Sequence, residues 1–349
     1  MRPQLPNEAD FPADGSDIEK LSFLVHYAIL APSSHNSQPW LFIQHDDHLA
    51  LHADRTRALP VVDPHDRSLA ISCGCALLYL RVAAAHFGLP LKVYRNPEDD
   101  ADLLVSIYVD SQAGAQPALA ELFEVLPQRM TNRFAYEPGS VSDKQLKHFA
   151  EISATHLVSL RSYHDDASRH AIAERVSAGD RQQMESKPFR RELASWMHHN
   201  RTRTGDGMPG FTQGLGELMS IAAPLVVRTF DVGKGTAARD HDLAEHSPAL
   251  CVFGTNTDHH LDWIRTGEAL AQVLLSAAKS GLSASFLNQP IEVDLMRTEL
   301  AKHVGVRFPQ ILMRLGKPTR EAPHTPRRPV SDVLARAGMH EDYQSFQGF

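Results

Sequence analysis

The feature that most constrains this fold is a repeat within the chain. Residues 72–89 read SCGCALLYLRVAAAHFGL and residues 266–282 read TGEALAQVLLSAAKSGL. Each runs from a glycine (Gly74, Gly267) through an apolar helical pattern to a second glycine fourteen residues on (Gly88, Gly281), followed by Leu. SDIEKL at 16–21 likewise has a counterpart in SDKQLK at 142–147. Two copies of one unit in one chain predict a pseudo-twofold axis, as a homodimer of that unit would have. The period is too long for a solenoid. With 349 residues and 42% hydrophobic content, the chain can bury a substantial core as one large domain or two ordinary ones.

Around the first repeated helix, helix and strand alternate. Apolar spacing predicts a helix over 18–30, stopped by Pro32, and strands at 41–43 and 48–52. A loop over 55–67 precedes a helix at 68–87, strands at 91–94 and 103–109, and a helix at 117–124.

The two copies differ in their polar stretches. APSSHNSQPW, residues 31–40, crowds Ser33, Ser34, Asn36, Ser37 and Gln38 into one turn before Pro39 and Trp40. Such a turn suits a flat polar ligand with many acceptors, and it also reads as a helix end with ordinary capping. After 142–155 the second copy continues HLVSLRSY and has no such loop. It opens instead with RMTNRFAY, where Arg129 and Arg133 flank Thr131 and Asn132. Two guanidiniums with nearby hydroxyls make a phosphate ligand set, or a solvated charged helix start. Complementary half-sites predict one intact site per chain.

Composition excludes several classes. A net charge of −7 and a pI near 6.3 predict no nucleic-acid surface. The most apolar segment, 76–85, is short and interrupted by Arg81, so no bilayer span is expected. The N-terminus lacks a signal-peptide apolar region and reads as a ragged acidic arm. Three cysteines give no disulfide framework and fit a reducing cytoplasm. Cys73 and Cys75, near a helix start, suit a stabilised thiolate or plain packing. No HxxxH or HExxH spacing with a nearby carboxylate stands out, and no GxGxxG, GxxxxGK[ST] or GxSxG occurs, so no metal, Rossmann, P-loop or hydrolase site is expected.

Together, APSSHNSQPW, the glycine-framed helices and RMTNR resemble the nitroreductase family of FMN-dependent oxidoreductases. The length and duplication resemble its Acg-like branch, in which two fused halves mimic the usual dimer. The resemblance covers about residues 18–337. It implies an α+β fold: two nitroreductase-like halves, each a mainly antiparallel sheet flanked by helices, at 1–125 and 126–337, with a tail at 338–349. It further implies that Ser33, Ser34, Asn36, Gln38, Pro39 and Trp40 face the flavin, and that Arg129, Thr131 and Arg133 hold its ribityl chain and phosphate. The stretch after Gly281, including Phe286 and Leu287, matches the segment whose amides approach the flavin ring. TPRRPVSDVL adds Arg327 and Arg328 at the phosphate. The family's basic pair is here Arg129-Met130, one arginine short. Residues 188–219 resemble an insertion that covers the flavin as a lid. The implied activity is hydride transfer from NAD(P)H through FMN to a nitroaromatic, quinone or similar small molecule, with no side-chain acid or base named. The alternative is a protein that sequesters FMN beneath the lid. A monomeric intramolecular pseudo-dimer is expected.

Overall fold

The computed structural model describes residues 5–95 and 102–338. α1 (Asp17–Ala28) leads through a loop into β1 (Trp40–Gln44), a tight hairpin to β2 (Leu49–Ala53), α2 (Arg67–His86), β3 (Leu91–Arg95) and β4 (Leu103–Val109). A short α3 (Pro117–Ala120) and a long loop connect to α4 (Asp143–Thr155) and β5 (Ser159–Tyr163). Next come α5 (Asp166–Glu185), α6 (Lys187–Ser195), the two-residue strands β6 (Met197–His198) and β7 (Met208–Pro209), α7 (Glu217–Thr229) and α8 (Gly233–Glu245). The chain continues through β8 (Ala249–Thr255), α9 (His260–Lys279), β9 (Ser283–Phe286), α10 (Gln289–Glu292), α11 (Asp294–Val304), β10 (Phe308–Gly316) and β11 (Leu334–Arg336).

The duplication is written in the sheets. One has the order β11-β1-β2-β4-β3, the other β5-β8-β10-β9. Without β11 the two orders match strand for strand, and all those pairings are antiparallel. The serine motifs at 16 and 142 are both capping boxes. Each serine hydroxyl accepts the amide N–H of Glu19 or Gln145, whose side chain accepts the serine N–H in return.

The halves meet where α2 crosses α9, glycine against glycine. A Cβ on Gly74 would lie 2.2 Å from the Ile264 carbonyl oxygen, and one on Gly267 would lie 2.0 Å from that of Ile71. Each isoleucine precedes its own glycine by three residues, so the contact is symmetric about a pseudo-twofold axis. One hydrophobic core runs through this seam, joining Leu24, Trp40 and Leu77 to Phe149, Phe253 and Leu275. By length and composition α2 could cross a membrane, but 89% of the qualifying window is buried inside the protein, so it serves as the core helix. Cys73 and Cys75 face this core, and burial pushes the Cys75 thiol up to about 12 and Cys73 well above its usual value. Packing, not thiolate chemistry, explains them.

Four departures from the sequence reading have physical causes. Between β5 and β8 the chain makes an excursion over residues 164–248, of which the expected 188–219 segment is only the middle. Its outer helices α5 and α8 bury Ile172, Val176 and Ala244 against Leu250, Val252 and Leu312 of the second sheet. The C-terminal β11 leaves the second half and pairs parallel to β1, Phe42 opposite Leu334. From Leu5 onward the N-terminal arm is docked, not ragged, because Phe11 stacks on Phe87 with centroids 4.4 Å apart; residues 1–4 lie outside the described residues. The helix expected at 117–124 stops at Ala120 and resumes as a 3-10 turn at Phe123–Val125. Of the expected tail, all but Gly338 lies outside the described residues.

Candidate cofactor site

The 31–40 loop is strained. His35, Asn36 and Gln38 have φ of 52°, 55° and 53°, left-handed values that non-glycine residues adopt only when their surroundings impose them. Here the imposing contacts come from two distant segments. The Asn36 side-chain amide donates to the carbonyls of Gly207 (3.0 Å) and Pro326 (3.1 Å), and its oxygen accepts from Arg327 (3.2 Å). Gln38 donates to the Gly205 carbonyl (2.8 Å), and its side-chain oxygen accepts the Arg328 amide N–H (2.9 Å). Every polar atom of both side chains is thus engaged within the protein.

Asn36 and Gln38, expected to face a flavin, therefore hold a strap at residues 205–207 and the C-terminal segment at 326–328. Gly205 fits between these layers because a Cβ there would sit 2.8 Å from the Arg327 carbonyl oxygen. Asp206 anchors the same strap through Arg57 and His198, which hold its carboxyl down at about 2. The Ser33 hydroxyl accepts the Gln38 amide N–H (2.9 Å), while Ser34 is half-buried. Pro39 is buried, its carbonyl accepting from Asp54 N–H and the Cys73 thiol. Trp40 is fully buried in the core and anchors the loop rather than facing a ligand. Beside the strap opens a cleft of about 370 Å³, lined by Ala58, Pro60, Glu192, Trp196, His198 and Asp206.

The four expected phosphate arginines fall in three places. Arg129, 7% exposed, and the largely buried Arg327 border one small cavity with Leu30, Thr131, His324 and Thr325. Burial, with Arg129 and Arg327 repelling each other, pushes Arg327 down to about 9. Among the described residues neither makes an ion pair, and the Nε of each lacks a partner. Tyr79, wholly buried on α2, brings its hydroxyl close to both. The free space is about 20 Å³, room for about one water. Anything larger than a small ion enters only if a neighbouring segment moves.

Arg133 lies apart, pushed down to about 10 by burial and by Arg239, with Asp240 acting the other way. His35 meets the charge of Arg133, and burial reinforced by that charge takes the imidazole down to about 4. His35 of the first-half loop thus lies within electrostatic reach of Arg133 in the second half. Arg328 does not join them: it pairs with Asp54 (3.3 Å) and donates to the Gln38 and Asp332 carbonyls.

Residues 129–133 form a loop, not a helix. Thr131 bridges to Ala284, and the Asn132 amide donates to the Ala284 carbonyl (3.0 Å). Beyond β9, the Leu287 amide is spent on the Leu312 carbonyl and its side chain is 2% exposed. Leu287 therefore offers no amide to a ring, while Phe286 is half-buried against the main core. Tyr79, His35, Arg239 and Thr325 were not singled out from sequence. Of these, His35 and Thr325 carried a local signal, one lying inside the polar loop and the other opening the TPRRPVSDVL stretch.

No protein-family model matches the chain. A Mycobacterium tuberculosis protein with the provisional name NAD(P)H nitroreductase Rv3131 is 31% identical over 328 residues, 91% of this chain and 92% of that protein. The acg protein of the same organism, also provisionally named an NAD(P)H nitroreductase, is 30% identical over 328 residues, 90% and 96% of the two chains. Among solved structures, the FMN-dependent nitroreductase NfnB from Mycobacterium smegmatis in complex with NADPH aligns with 62% of this chain and 97% of its own, at 14% identity and a TM-score of 0.40. The identity to these relatives extends over nine-tenths of both chains. The chain belongs to the nitroreductase family, in its Acg-like branch.

Proposed function

We propose that the chain binds FMN at the seam of its halves and acts as an oxidoreductase, taking hydride from NAD(P)H and passing it to a small acceptor such as a nitroaromatic or quinone. The observation that carries this reading is the Arg129–Arg327 pair. Two guanidiniums meet at one cavity without a carboxylate. Arg327 spends its Nη groups on the Asn36, Thr325, Pro326 and Leu30 oxygens, but both Nε atoms stay unpartnered, so the pair favours an anion. A phosphate fits that need, since its oxygens accept charge-assisted bonds from both and from the Thr131 and Thr325 hydroxyls.

Bound FMN would supply the two-electron chemistry itself. The chain's own residues bind, orient and exclude water. Arg129 and Arg327 fix the anionic end, and the α2–α9 crossing keeps the seam dry. The arginines suit the phosphate in charge, but their cavity of about 20 Å³ must widen to admit it, and the ring requires the 205–207 strap to yield, because Asn36 and Gln38 are engaged with it. That engagement favours a second reading, in which FMN is held beneath the strap and turns over little. The three free buried cysteines support a cytoplasmic setting.

The test is reconstitution with FMN followed by anaerobic stopped-flow monitoring of the flavin absorbance. Bleaching within seconds by NADH or NADPH supports the oxidoreductase and selects the nucleotide. Bound FMN that stays oxidised for minutes supports sequestration, and failure to bind FMN overturns both.

A further inference from the structure

Helices α5 and α8 of the insertion pack side by side, each carrying a histidine and a glutamate one turn apart: His170 with Glu174, and His241 with Glu245. We propose that His170, His241 and Glu245 form a binding site for a divalent transition metal, Zn²⁺ foremost, that staples α5 to α8. This assignment is independent of the flavin reading.

The geometry is nearly that of a coordination shell. One ligand atom from each residue lies within 4.8 Å of the others. His170 Nδ1 is 2.8 Å from Glu245 Oε1, and His241 Nδ1 is 3.6 Å from Glu245 Oε2. Around a tetrahedral zinc with bonds of about 2.0 Å, neighbouring ligand atoms stand about 3.3 Å apart, between those two separations. The imidazole rings meet edge to face, 86° apart with centroids at 5.7 Å, so they do not stack closed over the space. Glu174, 3.0 Å from His241 Nε2, faces the ring nitrogen remote from Glu245, where it accepts that N–H and orients the ring; water completes the shell.

Two imidazoles and a carboxylate suit zinc, nickel, cobalt or copper better than calcium or magnesium. All ligands stand on formed helices that already pack together, so binding requires side-chain adjustments of about an ångström. A search for HxxxH misses such a site because its histidines lie on different helices. The competing account is a set of surface histidine–glutamate ion pairs that bind no metal.

Calorimetric titration of chelator-treated full-length protein with ZnCl₂, paired with thermal melting, decides between them. The proposal expects one site with a Kd of about 1 µM or tighter and a Tm that rises with zinc. His170→Ala and His241→Ala should each weaken binding about tenfold or more. His246→Ala, which removes an exposed histidine paired with Asp242 outside the cluster, should leave it unchanged. Circular dichroism of each variant checks folding, and Co²⁺ absorption gives a second readout of the ligand set. Absence of zinc binding at 100-fold excess overturns the site, as does equal binding by His170→Ala, His241→Ala and the unmodified protein.

Discussion

Replacing Gly267 by alanine sets two effects of opposite sign against each other. Within a helix, Gly→Ala ordinarily stabilises by about 0.5–1 kcal/mol through backbone entropy. At the seam, however, the added methyl would stand 2.0 Å from the Ile71 carbonyl oxygen and 2.7 Å from the Gly74 Cα. Both are backbone atoms of a buried helix, so no side chain can swing away. Relief requires α2 and α9 to part by about 1 Å along the centre of the core, forfeiting dispersion contacts on both sides. Overpacking of this kind costs about 1–3 kcal/mol and more when backbone must move, so we expect a net destabilisation of about 3 kcal/mol. Gly74→Ala should cost a similar amount, and the double variant less than the sum, because the first methyl already separates the helices. Gly235 on α8 is the control: nothing lies within 4 Å of its added Cβ, and Gly235→Ala should stabilise by about 0.5–1 kcal/mol. Urea denaturation of the four variants measures all of this. Gly267→Ala within 0.5 kcal/mol of the parent, or full additivity with Gly74→Ala, would refute the crossing as described.

Three further outcomes are expected. Arg129→Met should weaken FMN binding about ten- to a hundredfold by removing a charged donor, yet leave the ligand-free protein as stable or more so, since an unpaired buried charge goes with it; unchanged FMN content would sink the phosphate assignment. Burial and Asp240 raise the Asp180 carboxyl from 3.8 to about 7. A raised acid loses stability as pH climbs from about 4 through 7, while the unfolded carboxyl ionises and the folded one resists. The stabilisation by Asp180→Asn, read from urea midpoints, should therefore be about 2–3 kcal/mol larger at pH 8 than at pH 5; a pH-independent effect contradicts the burial argument. Asn36→Ala frees the carbonyls of Gly207 and Pro326, so limited proteolysis and hydrogen exchange around 199–216 should accelerate about tenfold with little change in global stability, and unaltered protection there would mean that the strap is held by other contacts.

Much of the fold was legible because its strongest constraints are local. A helix crossing that admits no side chain must put glycine at the same place in both copies, and Gly74 and Gly267 stand out in the bare sequence. Capping boxes likewise write serine and a residue three positions on, as at Ser16 with Glu19 and Ser142 with Gln145. Strands β1 to β4 followed from their alternation and turn residues. The site was legible only in its ingredients. Whether Asn36 donates to a ligand or to Gly207 depends on a strap more than 150 residues away, and no periodicity records that partner. Arg327 and Arg328, adjacent in sequence, separate because one points into the cavity beside Arg129 while the other meets Asp54.

The same contrast explains why the insertion sits where it does. In the first half a tight hairpin joins β1 to β2, leaving that edge free for the arm that ends in β11. In the second half the equivalent connection, β5 to β8, is the 164–248 excursion, which covers its own sheet with α5 and α8. Its middle portion then crosses the seam. Glu192 accepts the Val61 and Val62 amides at 2.8 and 2.9 Å, Arg57 pairs with Asp206, and Arg57 lies over the Trp196 ring at 5.5 Å. These contacts fall on the loop between β2 and α2, which Arg57 ties to the strained 31–40 turn by donating to the Ser37 carbonyl. The pseudo-twofold does not extend to the polar segments, since APSSHNSQPW occurs only in the first half and RMTNR only in the second. The strap is held against the polar loop by Asn36 and Gln38, which donate to the carbonyls of Gly207 and Gly205, so the second half closes over the first through the same turn whose left-handed residues the strap imposes.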